Sequence, residues 1–179
     1  KGEVHVLIGE NGAGKSTLMK ILSGAEIKNS GKIFLEDKEA SITNPIDAQK
    51  LGIVMIYQEL NLVPQLSVGE NIFLGREPKK KNGLIDWDKL YDESIKYLSK
   101  LSSDINPRKK VETLSVAEQQ IVEVAKALSY NARIIIMDEP TAALTTKEVI
   151  ELFKVIKWLK SQGIGIIYIS HRMEEIYEV

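Results

Sequence analysis

The sequence predicts an α/β fold with a mostly parallel sheet and an inserted helical subdomain. Strand and helix patterns alternate, and two strand candidates, at 134–137 and 164–169, are almost continuous apolar runs. Such runs are typical of strands that are buried on both faces of a parallel sheet. Between residues 61 and 130 the periodicity is helical only. We therefore predict an α/β core formed by residues 1–60 and 131–179, with a helical subdomain at residues 61–130.

Each element is assigned from its local pattern. Short apolar runs predict strands at Glu3–Ile8, Lys32–Leu35, Ile53–Tyr57, Arg133–Met137 and Ile164–Ile169. Apolar residues at helical spacing predict helices at Ser16–Ser23, Ile46–Leu51, Val68–Leu74, Asp88–Leu101, Val116–Ser129, Lys147–Ser161 and Arg172–Glu178.

Composition narrows the function classes. The 179 residues suffice for one substantial core, and 24 basic against 25 acidic residues argue against a dedicated nucleic-acid surface. No run approaches the roughly 18 apolar residues of a membrane span. There is no cysteine and no signal-peptide pattern, and the chain begins inside a predicted strand, so we expect a piece of a longer protein. A cytosolic protein that uses nucleotides fits these observations.

The stretch from Gly9 to Thr17 matches the phosphate-binding pattern G-x-x-x-x-G-K-[ST] between a predicted strand and a predicted helix. In that setting the backbone N–H groups and the helix N-terminus surround an anion. Lys15 would bridge the outer phosphates, and the Ser16 hydroxyl would bind Mg²⁺. The alternative is a glycine-rich turn without a ligand. The candidate nucleotide-binding residues are Gly9, Glu10, Asn11, Gly12, Ala13, Gly14, Lys15, Ser16 and Thr17.

A second acidic motif follows the apolar run 133–137. A strand that ends in carboxylates is the usual partner of a phosphate loop. Asp138 would accept hydrogen bonds from the waters of Mg²⁺, and Glu139 would polarise the water that attacks the γ-phosphate. Without the phosphate loop, the pair would be read as two exposed acids before the turn at Pro140.

Polar residues also follow two other predicted strands, at Gln58 and His171. The carboxyl ends of parallel strands share one edge of the sheet, and open α/β folds bind ligands there. Gln58 would reach the metal or its water, and His171 would donate a hydrogen bond to the γ-phosphate. Either residue alone would be read as a surface side chain.

In this order the motifs resemble those of the ATP-binding subunits of ABC transporters. The family order is a phosphate loop, a glutamine loop, a signature peptide, an acidic motif and a switch histidine. The resemblance implies a P-loop NTPase core that binds ATP with Mg²⁺ and pairs with a second nucleotide-binding domain. It places ATP between one phosphate loop and the partner's signature, and it implies a membrane permease docked near the glutamine loop. The signature here lies at 114–120 and includes Ser115, Val116, Ala117 and Glu118.

A closer resemblance is to the ATPases of bacterial monosaccharide importers of the ribose, galactose and xylose type. The stretches 66–77, 83–87, 123–128 and 143–145 carry it. It implies two nucleotide-binding domains in one chain, of which this sequence would be most of the first, without the upstream aromatic that stacks on adenine. It also implies a peripheral position on the cytoplasmic face of the inner membrane, an external sugar-binding protein as an indirect partner, and no nucleic acid.

The signature departs from the common Leu-Ser-Gly-Gly-Gln, because its last two positions are Ala117 and Glu118. Ser115 and Glu118 also have the spacing of a helix capping box. Glu118 is therefore either a cap or a carboxylate that opposes the partner's γ-phosphate. Thr145 stands where many relatives carry Asp. Both departures concern the partner's ATP, so the two composite sites are expected to be unequal.

Two alternatives to a transport ATPase remain open. A soluble ABC-type ATPase acting on nucleic acid or the ribosome would usually carry long coiled coils or strongly basic arms, and the short middle segment and near-neutral charge disfavour it. A nucleotide-gated module with weak hydrolysis is disfavoured at this chain's own site by Glu139. Ala117, Glu118 and Thr145 leave it open for the partner's site.

Overall fold

Four parallel strands form the main sheet of the computed structural model, which describes residues 2–10 and 12–179. They are β1 (Val4–Leu7), β4 (Ile53–Ile56), β5 (Ile134–Asp138) and β6 (Gly165–Ile169), in the spatial order β1-β6-β5-β4. All four were predicted, and the fold class is confirmed.

Helices cover both faces of this sheet. On one face, Met19 of α1 and Ala48 of α2 pack with Ile53, Ile136 and Ile169. On the other face, the inward residues of α5 and α6 pack with Ile135, Ile166 and Tyr168. The helices are α1 (Lys15–Leu22), α2 (Pro45–Lys50), α3 (Val68–Ile72), α4 (Trp87–Lys100), α5 (Val116–Ser129), α6 (Thr146–Ser161) and α7 (Met173–Glu178).

The structure adds two elements that the sequence patterns did not predict, strand β3 (Lys38–Ala40) and a 3-10 helix at Val111–Thr113. The predicted strand β2 (Ile33–Leu35) pairs antiparallel with β3 in a separate ribbon. The hairpin turn places Glu36 and Asp37 at φ of 50° and 61°. Such turns usually contain Gly or Asn, and the Glu-Asp pair therefore concealed the hairpin.

Between β4 and β5 the chain forms α3, α4, the 3-10 helix and α5. Ser67 and Ser115 begin α3 and α5 with complete capping boxes, in which the Glu70 and Glu118 carboxylates accept hydrogen bonds from the backbone N–H groups of the cap residues. Among the described residues, no helix has the length and apolar character needed to cross a membrane.

Gly24 allows α1 to end against the start of α2. It has a φ of +76°, and a Cβ atom added there would lie 2.2 Å from the backbone oxygen of Asn44. We expect Gly24→Ala to lower the free energy of unfolding, because backbone atoms would have to move. Gly31 is a matched control, since its φ is +86° and an added Cβ meets nothing within 4 Å.

The control isolates the cost of a left-handed alanine, about 1–2 kcal/mol. The clash should cost about 1–3 kcal/mol beyond that. Urea unfolding of the two variants measures the difference. Equal losses would show that the contact with Asn44 relaxes without cost.

Candidate nucleotide-binding site

The candidate residues gather at the carboxyl edge of the main sheet. Leu7 and Asp138 are both paired with Ile169, and Ile56 is paired with Met137. The segments that follow β1, β4, β5 and β6 therefore leave the sheet at the same edge. This brings the phosphate loop, Gln58, the acidic motif and His171 to one side of the molecule, as the sequence predicted.

The phosphate loop leads directly into α1. Gly14 is the N-cap of this helix, with a φ of 86° and no side-chain cap, so no side chain of the described residues satisfies the first N–H groups. Gly12 has a φ of 84°, and a Cβ atom on either glycine would meet nothing within 4 Å. The glycines are therefore required by backbone conformation rather than by space. Such a helix start favours a bound anion.

Lys15 lies across its own loop. Its Nζ donates to the backbone oxygens of Gly9 at 2.6 Å and Glu10 at 2.9 Å. These bonds keep the ammonium beside the open helix start. Ser16 and Thr17 lie exposed in the first turn of α1, whereas Asn11 lies outside the described residues.

Asp138 is the last residue of β5 and is half-buried. Burial and the neighbouring Glu139 carboxylate raise the pKa of Asp138, while Lys15 and Lys20 oppose that rise. No hydrogen bond reaches its carboxylate from residues 2–10 and 12–179. A carboxylate in this situation gains stability from a cation, so the donor set of Asp138 and the Ser16 hydroxyl fits Mg²⁺.

Glu139 and His171 are joined across the ends of β5 and β6. Glu139 Oε1 lies 2.9 Å from His171 Nδ1. Glu139 has a φ of 44°, in the left-handed region, and its backbone N–H donates to the Ile169 oxygen at 3.0 Å. Such a conformation in a non-glycine residue costs on the order of 1–3 kcal/mol and is concentrated at functional sites. The side chain of His171 is 62% exposed and that of Glu139 22%, so the pair opens to solvent.

Gln58 follows β4 by two residues and is exposed. It shares the edge with the other candidates, but no hydrogen bond connects its side chain to them within the described part of the chain. The structure therefore places Gln58 beside the site without fixing its side chain.

The signature residues begin α5. Ser115 Oγ accepts from the Glu118 backbone N–H at 3.2 Å, and Glu118 Oε2 accepts from the Ser115 N–H at 2.8 Å. The capping role of Glu118 is thus present. Ser115 and Val116 are exposed, and Ala117 is half-buried. No hydrogen bond or ion pair joins these four residues to the phosphate loop in the described residues.

Two residues of α5 hold the segment after Gln58, and the sequence patterns did not identify them. Lys126 Nζ donates to the Asn61 backbone oxygen at 2.9 Å. Glu123 is buried on the same helix, and burial raises the pKa of its carboxyl, while Lys126 and the Asn61 backbone oppose that rise. The available signal was a charged residue between Val122 and Val124 on an apolar helix face.

The family follows from a comparison with protein-family models, since the model described as "ABC transporter" matches residues 1–142. The chain belongs to the ABC transporter family. Membership of the ABC transporter family implies nucleotide binding, which agrees with the phosphate loop at the sheet edge.

Relatives within the ABC transporter family are highly similar. The ribose import ATP-binding protein RbsA of Caldanaerobacter subterraneus subsp. tengcongensis is 58% identical over 179 residues, which are 100% of this chain and 36% of that protein. The galactose/methyl galactoside import ATP-binding protein MglA of Clostridium perfringens is 56% identical over 180 aligned residues, covering 100% of this chain and 35% of that protein. The chain thus spans about a third of the length of these curated relatives.

Solved structures of ABC transporter cassettes have the same fold. A nucleotide-free ATP-binding cassette from an ABC transporter superposes with a TM-score of 0.85 at 28% identity. The match covers 99% of this chain and 74% of that one. The ADP conformation of the ATP-binding cassette MJ1267 gives a TM-score of 0.84 at 28% identity, over 98% of this chain and 73% of that chain.

Proposed function

We propose that this chain is a domain that binds and hydrolyses ATP to power the import of a sugar through a membrane permease. The observation that carries the chemistry is the Glu139–His171 hydrogen bond, at the sheet edge where the phosphate loop also ends. The relatives named for ribose and galactose import support the transport role. The names of these two relatives do not favour a role on nucleic acid or the ribosome.

The phosphate loop binds the triphosphate of ATP in this proposal. The free N–H groups at the start of α1 and the positive end of its dipole face the phosphates. Lys15 is already held beside them by Gly9 and Glu10, so its ammonium contacts the outer phosphates with little reorganisation. Gly9–Thr17 is the binding segment.

Mg²⁺ would be held by the Ser16 hydroxyl, Asp138 and Gln58, directly or through water. A metal there supplies positive charge next to the phosphoryl oxygens. Asp138 favours that charge because its half-buried carboxylate has no hydrogen bond from the described residues. Gln58 is exposed and free to turn towards the same edge.

Glu139 orients the attacking water and accepts its proton. His171 holds that carboxylate through Nδ1–H, and as the imidazolium it also donates from Nε2–H to a γ-phosphate oxygen. The strained backbone of Glu139 directs the side chain to this position rather than along the strand. Catalysis then consists of positioning and electrostatic stabilisation.

The remaining assignments concern partners. Residues 61–130 form a helical subdomain on a core of residues 1–60 and 131–179, and Ser115–Glu118 face the ATP of a second nucleotide-binding domain. The chain's share of its relatives, 36% of RbsA, leaves ample length for that second domain. The assembly sits on the cytoplasmic face of the membrane with permease subunits, and an external sugar-binding protein delivers the sugar.

Uptake by the reconstituted transporter tests the function. The full-length protein is assembled with its permease in vesicles, and ATP-dependent uptake of labelled ribose and galactose is measured. Accumulation of either sugar supports the proposal. ATP hydrolysis that ignores the permease but rises with nucleic acid or ribosomes would contradict it.

The signature gives a separate prediction. Replacing Ala117 by Gly and Glu118 by Gln should tighten ATP binding at the partner's site about fivefold, because one partly solvated like-charge contact is worth on the order of 1 kcal/mol. The glutamine oxygen can still accept from the Ser115 N–H, so most of the cap remains.

Glu70→Gln is the matched control, since Glu70 closes the same kind of capping box on α3. Both Glu→Gln changes should lower thermal stability by similar small amounts. Calorimetric ATP titration of the full-length protein measures the affinity. If stability falls while affinity is unchanged, Glu118 is only a helix cap.

A further inference from the structure

A buried carboxylate binds the two turns that carry the Glu139–His171 pair. Glu175, in α7, is only 6% exposed. Its Oε1 accepts from Thr141 Oγ1 at 2.7 Å, and its Oε2 accepts from Tyr168 Oη at 2.8 Å and Ser170 Oγ at 2.9 Å. The Arg172 guanidinium lies 3.4 Å from Oε1. One carboxylate therefore connects the turn after β5, the end of β6 and the start of α7.

The bonds reach residues that are close in sequence to both members of the pair. Thr141 lies two residues after Glu139 in the turn that follows β5, and Ser170 and Arg172 flank His171. Ser170 Oγ also accepts from the Arg172 backbone N–H at 3.0 Å, which closes the turn around His171. The hydroxyls of Thr141 and Ser170 thus link Glu175 to the two turns through hydrogen bonds.

Glu175 is ionised in this arrangement. Burial alone raises the pKa of its carboxyl, but the hydrogen bonds from Thr141, Tyr168 and Ser170, with the Arg172 charge, hold that pKa below its ordinary value. A carboxylate offers about four acceptor positions, which matches the four donors here. An amide oxygen offers about half as many, so no neutral side chain of this size can accept all four bonds.

We propose that Glu175 is a positioning residue that fixes the relative position of Glu139 and His171 for ATP hydrolysis. The inference rests on the proposed function, because it requires Glu139 and His171 to act in ATP hydrolysis. Glu175 itself makes no contact with ATP in this proposal. The strained left-handed conformation of Glu139 persists only where the surrounding structure holds it, and His171 is mostly exposed, so both residues depend on fixation by their neighbours. The buried bonds of Glu175 supply that fixation from the two turns.

A double-mutant cycle in the full-length protein tests the inference. Glu175→Gln keeps the volume but removes the charge and about half of the acceptor capacity. We expect kcat for ATP hydrolysis to fall about tenfold, with KM for ATP changed less than twofold, because small misplacements of reacting groups lower the rate more than the affinity. In a His171→Ala background the same change should lower kcat clearly less than tenfold, because only the positioning of Glu139 remains to be disturbed.

Glu174→Gln is the matched control, since Glu174 is exposed on the same helix and no hydrogen bond involves its side chain in the described residues. It should leave kcat unchanged. Thr141→Val is a second variant, which removes only the hydrogen bond between Thr141 and Glu175 and should also lower kcat. It tests the inference if Glu175→Gln does not fold. The melting temperature of every variant is measured alongside kcat.

The outcomes are distinct. An equal fall of kcat in both backgrounds, or a lower melting temperature with unchanged kcat, overturns the positioning role and leaves the proposed function intact. A wild-type protein that hydrolyses no ATP overturns the proposed function, and the inference with it. A smaller Glu175 effect in the His171→Ala background than in the wild type supports the inference.

Discussion

Glu139→Gln is expected to lower ATP turnover of the full-length protein about 10²- to 10⁴-fold, the range for removal of a positioned general base. The amide cannot take a proton from the attacking water, although its oxygen can still accept a hydrogen bond from His171. The backbone at Glu139, with its φ of 44°, is unchanged by the substitution. ATP binding should therefore persist. Phosphate release measures turnover, and calorimetric titration measures binding.

Glu59→Gln is the control for loss of one acid near the site. Glu59 follows Gln58, is exposed, and has no hydrogen bond to its side chain in the described residues. It should hydrolyse ATP at the wild-type rate. If Glu139→Gln also hydrolysed ATP at the wild-type rate, the base would have to be assigned to another group.

Lys15→Ala should weaken ATP binding, the step that precedes hydrolysis. A hydrogen bond to a charged group contributes about 1.5–3 kcal/mol, and 1.4 kcal/mol corresponds to a factor of ten. Loss of contacts to two phosphates should therefore weaken ATP binding about 10²-fold or more. The change also frees the backbone oxygens of Gly9 and Glu10, which Lys15 now satisfies.

Lys20→Ala is the control that distinguishes a direct phosphate contact by Lys15 from the overall positive charge of α1. Lys20 is on the same helix, and its Nζ lies 3.3 Å from Glu26 Oε1 at the surface. Its removal should weaken ATP binding far less than the removal of Lys15. Equal losses in the two variants would mean that the overall positive charge of α1, rather than a phosphate contact, governs affinity.

The sequence was sufficient for the features that are local patterns. Gly9–Thr17 and Asp138–Glu139 are recognisable because each lies beside an apolar strand, and the parallel register then brings them to one edge. The β2–β3 hairpin escaped prediction because Glu36 and Asp37 are unusual turn residues. Glu175 escaped because a charged residue in a short terminal helix is normally solvated, and its partners are separated from it by up to 34 residues.

The order of strands in the sheet also determines when the site can form as the chain folds. Val4 of β1 pairs with Ile166 of β6, roughly 160 residues later in the sequence. At a synthesis rate of about 5–20 residues per second, β1 waits roughly 10–30 s for the strand beside it. Contacts between such distant segments also form slowly, because the intervening chain must first be ordered. The phosphate loop, which follows β1, is thus synthesised long before β6 and is enclosed by its neighbours only after β6 has formed.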